Sequence, residues 1–572
     1  MKFSKFCAGM FVLLLSFPFQ SHASIDLDIQ GLEGELKDNV DVYVDAIPER
    51  DYQLTRRFQD QLEQEIRKAL QALGYFNPTI KYDVTDQTSA KDADVTVTVD
   101  PGIPVRIKEV DLQISGMAEE DPDFIALEKT APTVGSILNQ GNYESLKSSI
   151  RNLALKKGYF DAEFTLSKLE VAPGLNEAFI RLHFASGKRY KFGAVTYKNS
   201  QIRDDRMVNL VPFKEGDYYE VIKLGEFNQN LSSTGWFSSI AITTPFEREK
   251  DDVLPVDVAL EPAPRNKFEV GVGYSTDVGP RLKFNWKKPW VNARGNSFSS
   301  NLSVSEPEQT WEGSYKIPLD RVLTEYFLAQ VGVQNINQND TQSLEVTGSA
   351  SRHWALKNKW QGSIFIRWLY SDYTQGLDEN ITNLILPGVN LSRTRARGGV
   401  MPYWGDKQSL TLEVGEPLWG SDISIVRFMG QTTWIRGNKN HRGIVRVNGG
   451  WMDTDNFEKV PPSLRFFAGG DNSVRGYKYQ SISPLDASGQ LAGGRYLATG
   501  SLEYQYRVYG NWWVAAFTDA GDAWDNAPDW KTSAGLGIRW ASPVGPVRFD
   551  VAHGFENEND EFMIHFTLGP EL

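Results

Sequence analysis

Few residues of this chain have the types and spacing needed for covalent chemistry. Of six histidines, His183, His353, His441, His553 and His565 lie beyond the amino-terminal segment, and they are scattered. There is no Gly-x-Ser-x-Gly elbow, no His-Glu-x-x-His pair and no glycine-rich phosphate loop. The single cysteine, Cys7, sits ahead of an apolar run at the start of the chain. No catalytic, metal or cofactor site is therefore expected, and any work must come from binding and folding free energy. What the sequence does offer is backbone pairing. Phe562, Ile564, Phe566 and Leu568 alternate with Met563, His565 and Thr567 close to Leu572. A period of two places one apolar face on a strand. Such a strand, after a long stretch of similar alternation, suits a closed barrel in a membrane. There it must pair with the first barrel strand, because an open sheet edge cannot face hydrocarbon.

That first strand is expected at about 268–274. Phe268, Val270, Val272 and Tyr274 alternate with Glu269, Gly271 and Gly273. Its two glycines pack no side chain and weaken the strand. The 307 residues from 266 to 572 accommodate roughly 16 strands, an even number that returns both barrel ends to one side. Sixteen Trp, 22 Tyr and 31 Phe are enough for aromatic girdles at both interfaces. Ahead of all this, Lys2 and Lys5, the apolar Met10–Leu15 and the small-x-small Ser21-His22-Ala23 read as a secretory signal removed before Ser24. A net charge of −13 argues against nucleic-acid binding.

Between signal and barrel, one unit occurs three times. Each has an amphipathic helix followed by Gly-aromatic-Phe. The stripes are Phe58, Leu62, Ile66, Ala69 and Leu73 before Gly74-Tyr75-Phe76; Tyr143, Leu146, Ile150 and Leu153 before Gly158-Tyr159-Phe160; and Leu224, Phe227 and Leu231 before Gly235-Trp236-Phe237. The glycine suits a helix terminus, and the aromatics are expected to begin a strand and pack over the helix just ended. Alternating strands follow at Val95-Val97-Val99, Ile180-Leu182-Phe184 and Val256-Val258-Leu260, with turns at Gly102, Gly187 and Pro264. The implied division is 1–23 signal, 24–104, 105–187 and 188–265 as α+β repeats, and 266–572 as a transmembrane antiparallel β-barrel.

The longest break in strand pattern, about 455–495, contains Phe466-Phe467-Ala468-Gly469-Gly470-Asp471-Asn472-Ser473-Val474-Arg475-Gly476-Tyr477. After it come Gly500-Ser501-Leu502-Glu503-Tyr504, Phe517-Thr518-Asp519-Ala520-Gly521, Gly535-Leu536-Gly537-Ile538-Arg539-Trp540 and Ser542-Pro543-Val544-Gly545-Pro546. In this order the motifs resemble the BamA/TamA family of outer-membrane assembly barrels. The resemblance implies that the three repeats are POTRA domains in the periplasm of a Gram-negative cell. It also implies that Arg475, Gly476 and Tyr477 form a loop tip folded into the lumen, with Glu503 and Asp519 facing the arginine. A guanidinium so placed loses hydration and needs a carboxylate fork.

Within the family, three repeats and segments such as Gly273-Tyr274-Ser275-Thr276-Asp277-Val278-Gly279-Pro280 and Trp286-Lys287-Lys288-Pro289-Trp290 resemble the TamA branch. That implies a protein-insertion factor working through a lateral seam between strand one and 562–568. It further implies an inner-membrane-anchored TamB-like partner on the POTRA domains, unfolded outer-membrane clients including autotransporters, and contact with outer-membrane lipid. A conduit for phospholipid delivery and a two-partner-type secretion pore are the alternatives.

Overall fold

The computed structural model describes residues 24–48, 52, 55–85, 92–399, 401–542, 545–556 and 562–568. The segment read as a signal sequence, Cys7 included, lies outside them. Among the described residues no helix is long and apolar enough to cross a membrane. The chain divides into two compact units, with the boundary running through the third repeat.

Each repeat has the order strand-helix-helix-strand-strand. The first comprises β1 (Ser24–Gln30), α1 (Gly34–Asp45), α2 (Arg56–Ala72), β2 (Thr79–Thr85) and β3 (Asp92–Asp100). The second comprises β4 (Arg106–Ser115), α3 (Pro122–Glu128), α4 (Gln140–Lys157), β5 (Glu163–Ala172) and β6 (Glu177–Ala185). The third comprises β7 (Lys191–Lys198), α5 (Asp204–Met207), α6 (Val221–Ser233), β8 (Phe237–Thr243) and β9 (Val253–Pro262). In every sheet the last strand is central, in the orders β1-β3-β2, β4-β6-β5 and β7-β9-β8. That explains why the last strands carry the purest apolar alternation. Val95, Val97 and Val99 are buried, as are Ile180, Leu182 and Phe184, and Val256, Val258 and Leu260. Some outer strands alternate as well, as in Ile25-Leu27-Ile29 and Val110-Leu112-Ile114, whereas α3 and α5 are too short to show a helical stripe.

Two expectations need correction. First, the helix stripes shift at their ends. Leu70 is buried in place of Leu73, Ala154 in place of Leu153, and Leu224 is only half-buried. Leu70 and Ala154 lie in the last turns of their helices and Leu224 in the first turn of α6, and at helix ends the neighbouring elements decide which residue is covered. Second, the aromatics do not open a strand in the first two repeats, since β2 starts at Thr79 and β5 at Glu163. They form joints instead. Gly74 (φ 91°) accepts from Val105 N–H at 2.8 Å, and Phe76 packs into the core of the second repeat. Gly158 (φ 83°) accepts from Tyr190 N–H at 2.9 Å, and the ring of Phe160 meets those of Tyr190, Tyr219 and Phe246. The third joint differs. Trp236 is buried against the first turn on the chain-entry side of the barrel, donating from Nε1 to Gly295 O at 3.1 Å. Gly295 has to be glycine, because a Cβ would stand 2.1 Å from the Trp236 ring. Trp290 Nε1 donates to Ala263 O at 2.8 Å beside it.

Sixteen strands, β10 (Lys267–Ser275) through β25 (Phe562–Leu568), close into a barrel in which consecutive strands are antiparallel neighbours. Outward positions are exposed and apolar, such as Val331, Ile364, Val389, Leu410 and Ile538. Inward positions are polar and buried, the alternation of a lipid-facing wall around a polar lumen.

Candidate functional site

Residues 455–495 connect β20 (His441–Thr454) to β21 (Tyr496–Tyr509) and turn into the lumen. A loop this long stays folded inside because it carries its own apolar side. Val460, Leu464, Phe466, Ala468 and Val474 are buried in one cluster with Leu384 and Leu386 of β17 (Asp378–Arg397). At its tip Arg475 is 2% exposed. Its Nε and NH2 fork onto Asp519 at 2.7 and 2.9 Å, while NH1 reaches Glu503 at 2.7 Å and Asp550 at 3.3 Å. The guanidinium lies 3.3 Å from the centroid of the Phe517 ring. Glu503, Asp519 and Asp550 stand on the inward phase of β21, β22 (Trp512–Trp524) and β24 (Gly545–Gly554).

The sequence reading named Glu503 and Asp519 but missed half of the network. Arg539, on β23 (Lys531–Ser542), donates to Glu503 at 2.8 Å and to Asp550 at 2.6 Å. Arg446 lies 3.5 Å from Glu503, and Gln505 donates to it at 2.6 Å. Gly537 makes room: a Cβ there would stand 1.8 Å from Asp550 Oδ1. The usable signal was a charged residue on the inward phase of successive strands. Three arginines and three carboxylates therefore interlock, and removing one leaves the rest unbalanced in a confined space.

Gly476 (φ 94°) passes against β24, where a Cβ would stand 2.8 Å from Gly554 N. Tyr477 donates to Glu556 at 2.9 Å and accepts from the Glu556 N–H at 3.1 Å. Next to the tip the loop grips the seam. His565 Nε2 accepts from Gly476 N–H at 3.0 Å, so the ring proton is on Nδ1, which donates to Asp471 at 2.6 Å. Asp471 also accepts from Thr567 and from Thr276, both at 3.2 Å, and its N–H donates to Asp277 at 3.2 Å. Asp277, Asp471 and His565 could hold a metal ion, their ligand atoms lying within 4.8 Å of one another. With both ring nitrogens of His565 engaged, the group is a complete hydrogen-bonded clasp as it stands. Asp471 and His565 thus join both sides of the seam, a role the sequence reading did not assign to either.

The seam itself is nearly bare. Among the described residues, β10 and β25 share one register pair, Ser275↔Thr567. On its other side β10 pairs with β11 (Gly279–Lys288) along its whole length, from Lys267↔Lys287 to Ser275↔Gly279. Phe268, Val270, Val272 and Tyr274 point outward and are exposed, Val272 by 81%. Gly271 and Gly273 have no close neighbour that would forbid a side chain. On β25, Phe562 and Ile564 face outward, Phe566 lies 6.0 Å from the Tyr274 ring, and Leu568 is half-buried.

A closed barrel with a buried arginine loop, preceded by α/β repeats, defines a class of outer-membrane transporter and assembly barrels, and comparison gives it a name. A family model described as the Omp85 superfamily domain matches residues 265–571, and the chain belongs to that superfamily. Models described as POTRA domain TamA domain 1 and surface antigen variable number repeat match 26–101 and 190–261. The chain is 25% identical over 401 residues to an outer membrane protein assembly factor BamA of Nitratidesulfovibrio vulgaris, covering 65% of this chain and 50% of that one. It is 20% identical over 566 residues to the BamA of Neisseria meningitidis serogroup B, covering 86% of this chain and 70% of that one. It thus spans half to about two thirds of the length of these relatives. In fold it matches the crystal structure of BamA from Haemophilus ducreyi lacking POTRA domains 1-3, with TM-score 0.56 at 14% identity over 96% of this chain and 99% of that one. The chain is an outer-membrane β-barrel with periplasmic POTRA domains.

Proposed function

We propose that this protein is a non-enzymatic assembly factor that inserts outer-membrane proteins through the β10–β25 seam. The observation that carries the reading is that, among the described residues, one register pair joins β10 to β25. Among the described residues, β10 meets β25 only at its Ser275 end, so the rest of that edge is offered to another strand. An incoming strand that pairs there gains hydrogen bonds and buries apolar area without ATP. The loop would act as the latch: Asp471 and His565 hold the seam, and Arg475 with Glu503 and Asp519 holds the loop.

The reading takes 24–104, 105–187 and 188–265 as three POTRA domains. It places the chain in the TamA branch, supported by the first-domain match and the number of repeats. A TamB-like protein anchored in the inner membrane is then the partner of the POTRA domains, and autotransporters are among the clients. Photocrosslinking from Val270 in cells tests this. Capture of nascent barrel strands is the expected result. Capture of lipid alone would favour a conduit for phospholipid, and capture of one dedicated secreted protein a secretion pore.

A further inference from the structure

On the outer wall, away from the seam, β17, β18 (Trp404–Gly415) and β19 (Ile425–Gly437) carry an arrangement that barrel closure does not need. Their rows are read from the register. Val389, Leu412 and Phe428 lie side by side, then Leu391, Leu410 and Gly430, all on the lipid face. Two rows on, the same face carries Arg395, Asp406 and Trp434, then Arg397, Trp404 and Arg436. β17 is the eighth strand of an up-and-down barrel, so Arg397 stands at the end where the chain enters β10, the periplasmic end. The rows therefore pass from hydrocarbon level to headgroup level.

The charges there do not balance. Arg395 forks onto Asp406 at 2.7 and 2.6 Å, and Arg393 touches the same carboxylate at 3.3 Å. Among the described residues, Arg436 donates to the carbonyls of Gly405 and Ile435, and Arg397 has no carboxylate partner. Four guanidiniums thus share one carboxylate, and that carboxylate is fully buried. Three of them, from Arg395, Arg397 and Arg436, stand 4.9–5.2 Å from the Trp404 ring. The Nε of Arg393 is buried and, among the described residues, has no acceptor. Like charges held this close repel unless an anion sits among them. Directly above, on the hydrocarbon side, an apolar groove of about 240 Å³ is lined by Trp354, Ile364, Val389, Leu391, Leu412 and Phe428.

We propose that this wall is a binding site for an anionic phospholipid of the periplasmic leaflet. The phosphate lies among Arg393, Arg397 and Arg436, and an acyl chain lies in the groove above Leu391. The groove calls for a hydrocarbon chain and the cluster for net negative charge. A zwitterionic headgroup brings its own cation and gains less.

The test uses the full-length protein in nanodiscs containing equal phosphatidylglycerol and phosphatidylcholine, with the lipids retained after mild detergent release counted by native mass spectrometry. Phosphatidylglycerol is expected to be enriched over phosphatidylcholine. The double variant Arg397→Gln/Arg436→Gln, which breaks no carboxylate pair, should lower that enrichment about thirtyfold, since each of the two basic residues near a membrane contributes about 1 kcal/mol. The charge-matched Arg321→Gln/Arg352→Gln should leave it unchanged. Equal enrichment in both double variants, or none in the native protein, overturns the site. Binding of free inorganic phosphate to the detergent-solubilised protein as tightly as the lipid, and lost in the same variant, overturns the lipid assignment. Unchanged heat resistance on a semi-native gel confirms that the variants fold.

Discussion

Two strand junctions in this barrel are built on opposite principles. Between β16 (Gln361–Gln375) and β17 the register is continuous from Gln361↔Ser392 to Gln375↔Asp378. Between β10 and β25 it is a single pair among the described residues, and there Asp471 of the loop holds His565 and Thr567 of β25 and Thr276 just after β10. A backbone ladder in hydrocarbon opens only at the cost of several unsatisfied groups at once. A side-chain clasp opens when one loop moves. The two junctions thus differ in what closes them, a continuous backbone ladder in one and a side-chain clasp on a loop anchored by the arginine network in the other.

The largest effect expected is at the seam. A disulfide between cysteines replacing Ser275 and Thr567 should abolish client assembly until reduced. The same crosslink placed across Ile366 and Pro387, which already pair, should change nothing. Full activity in the crosslinked seam would erase the distinction between the two junctions.

Next comes the tip. Arg475→Ala strands Asp519 and Glu503, and breaking a buried pair from one side costs roughly 3–5 kcal/mol. Heat resistance of the folded barrel on a semi-native gel should fall accordingly. Arg475→Lys should restore only part, because an ammonium cannot make the two-pronged fork. Removing Asp519 as well should hurt less than the sum of the separate losses, and strict additivity would argue against a shared role.

A smaller change should follow from Asp471→Ala, which deletes the clasp but leaves the arginine network intact. The cost of hydrogen bonds left unmade is about 1–3 kcal/mol. The readout is faster hydrogen exchange in 562–568, with 361–375 unaffected. Equal exchange at both junctions would mean that the clasp does not hold the seam.

The smallest effect lies outside the barrel and separates acid sensitivity of the repeats from that of the seam. Asp121 caps α3, donating nothing and accepting from the Asp123 N–H at 3.0 Å, and it pairs with Lys157 at 2.5 Å. Burial raises its carboxyl, but the Lys157 ammonium and the Asp123 N–H outweigh that and hold it below the usual carboxylate range. A depressed folded value means full stabilisation above the unfolded value of about 4, lost as pH falls through the folded one. Asp121→Asn should therefore speed exchange in residues 105–187 at neutral pH. The difference from the native chain should shrink in acid. A constant difference at all pH values would assign the effect to packing instead of charge.

What the sequence determined alone is periodic. Apolar alternation placed β10 and β25 and the central strand of each repeat, because those strands face hydrocarbon or a packed core and every second residue must be apolar. The helix stripes and their glycines were legible for the same reason, except in the last turns, where Leu70 and Ala154 took the buried places. Motif order placed Arg475 with Glu503 and Asp519. Tertiary structure decided the rest. It turned the Gly-aromatic-Phe runs into joints, since nothing local tells Phe76 or Trp236 which neighbour it will meet. It brought Arg539 and Asp550 onto Glu503 and Arg475, and Asp471 of the loop onto His565 of β25, pairings set by register and by the fold of the loop and not by spacing. It also left one register pair across the seam among the described residues. Which of two alternating strands slides past the other depends on closure of the whole barrel, and no single strand carries that information.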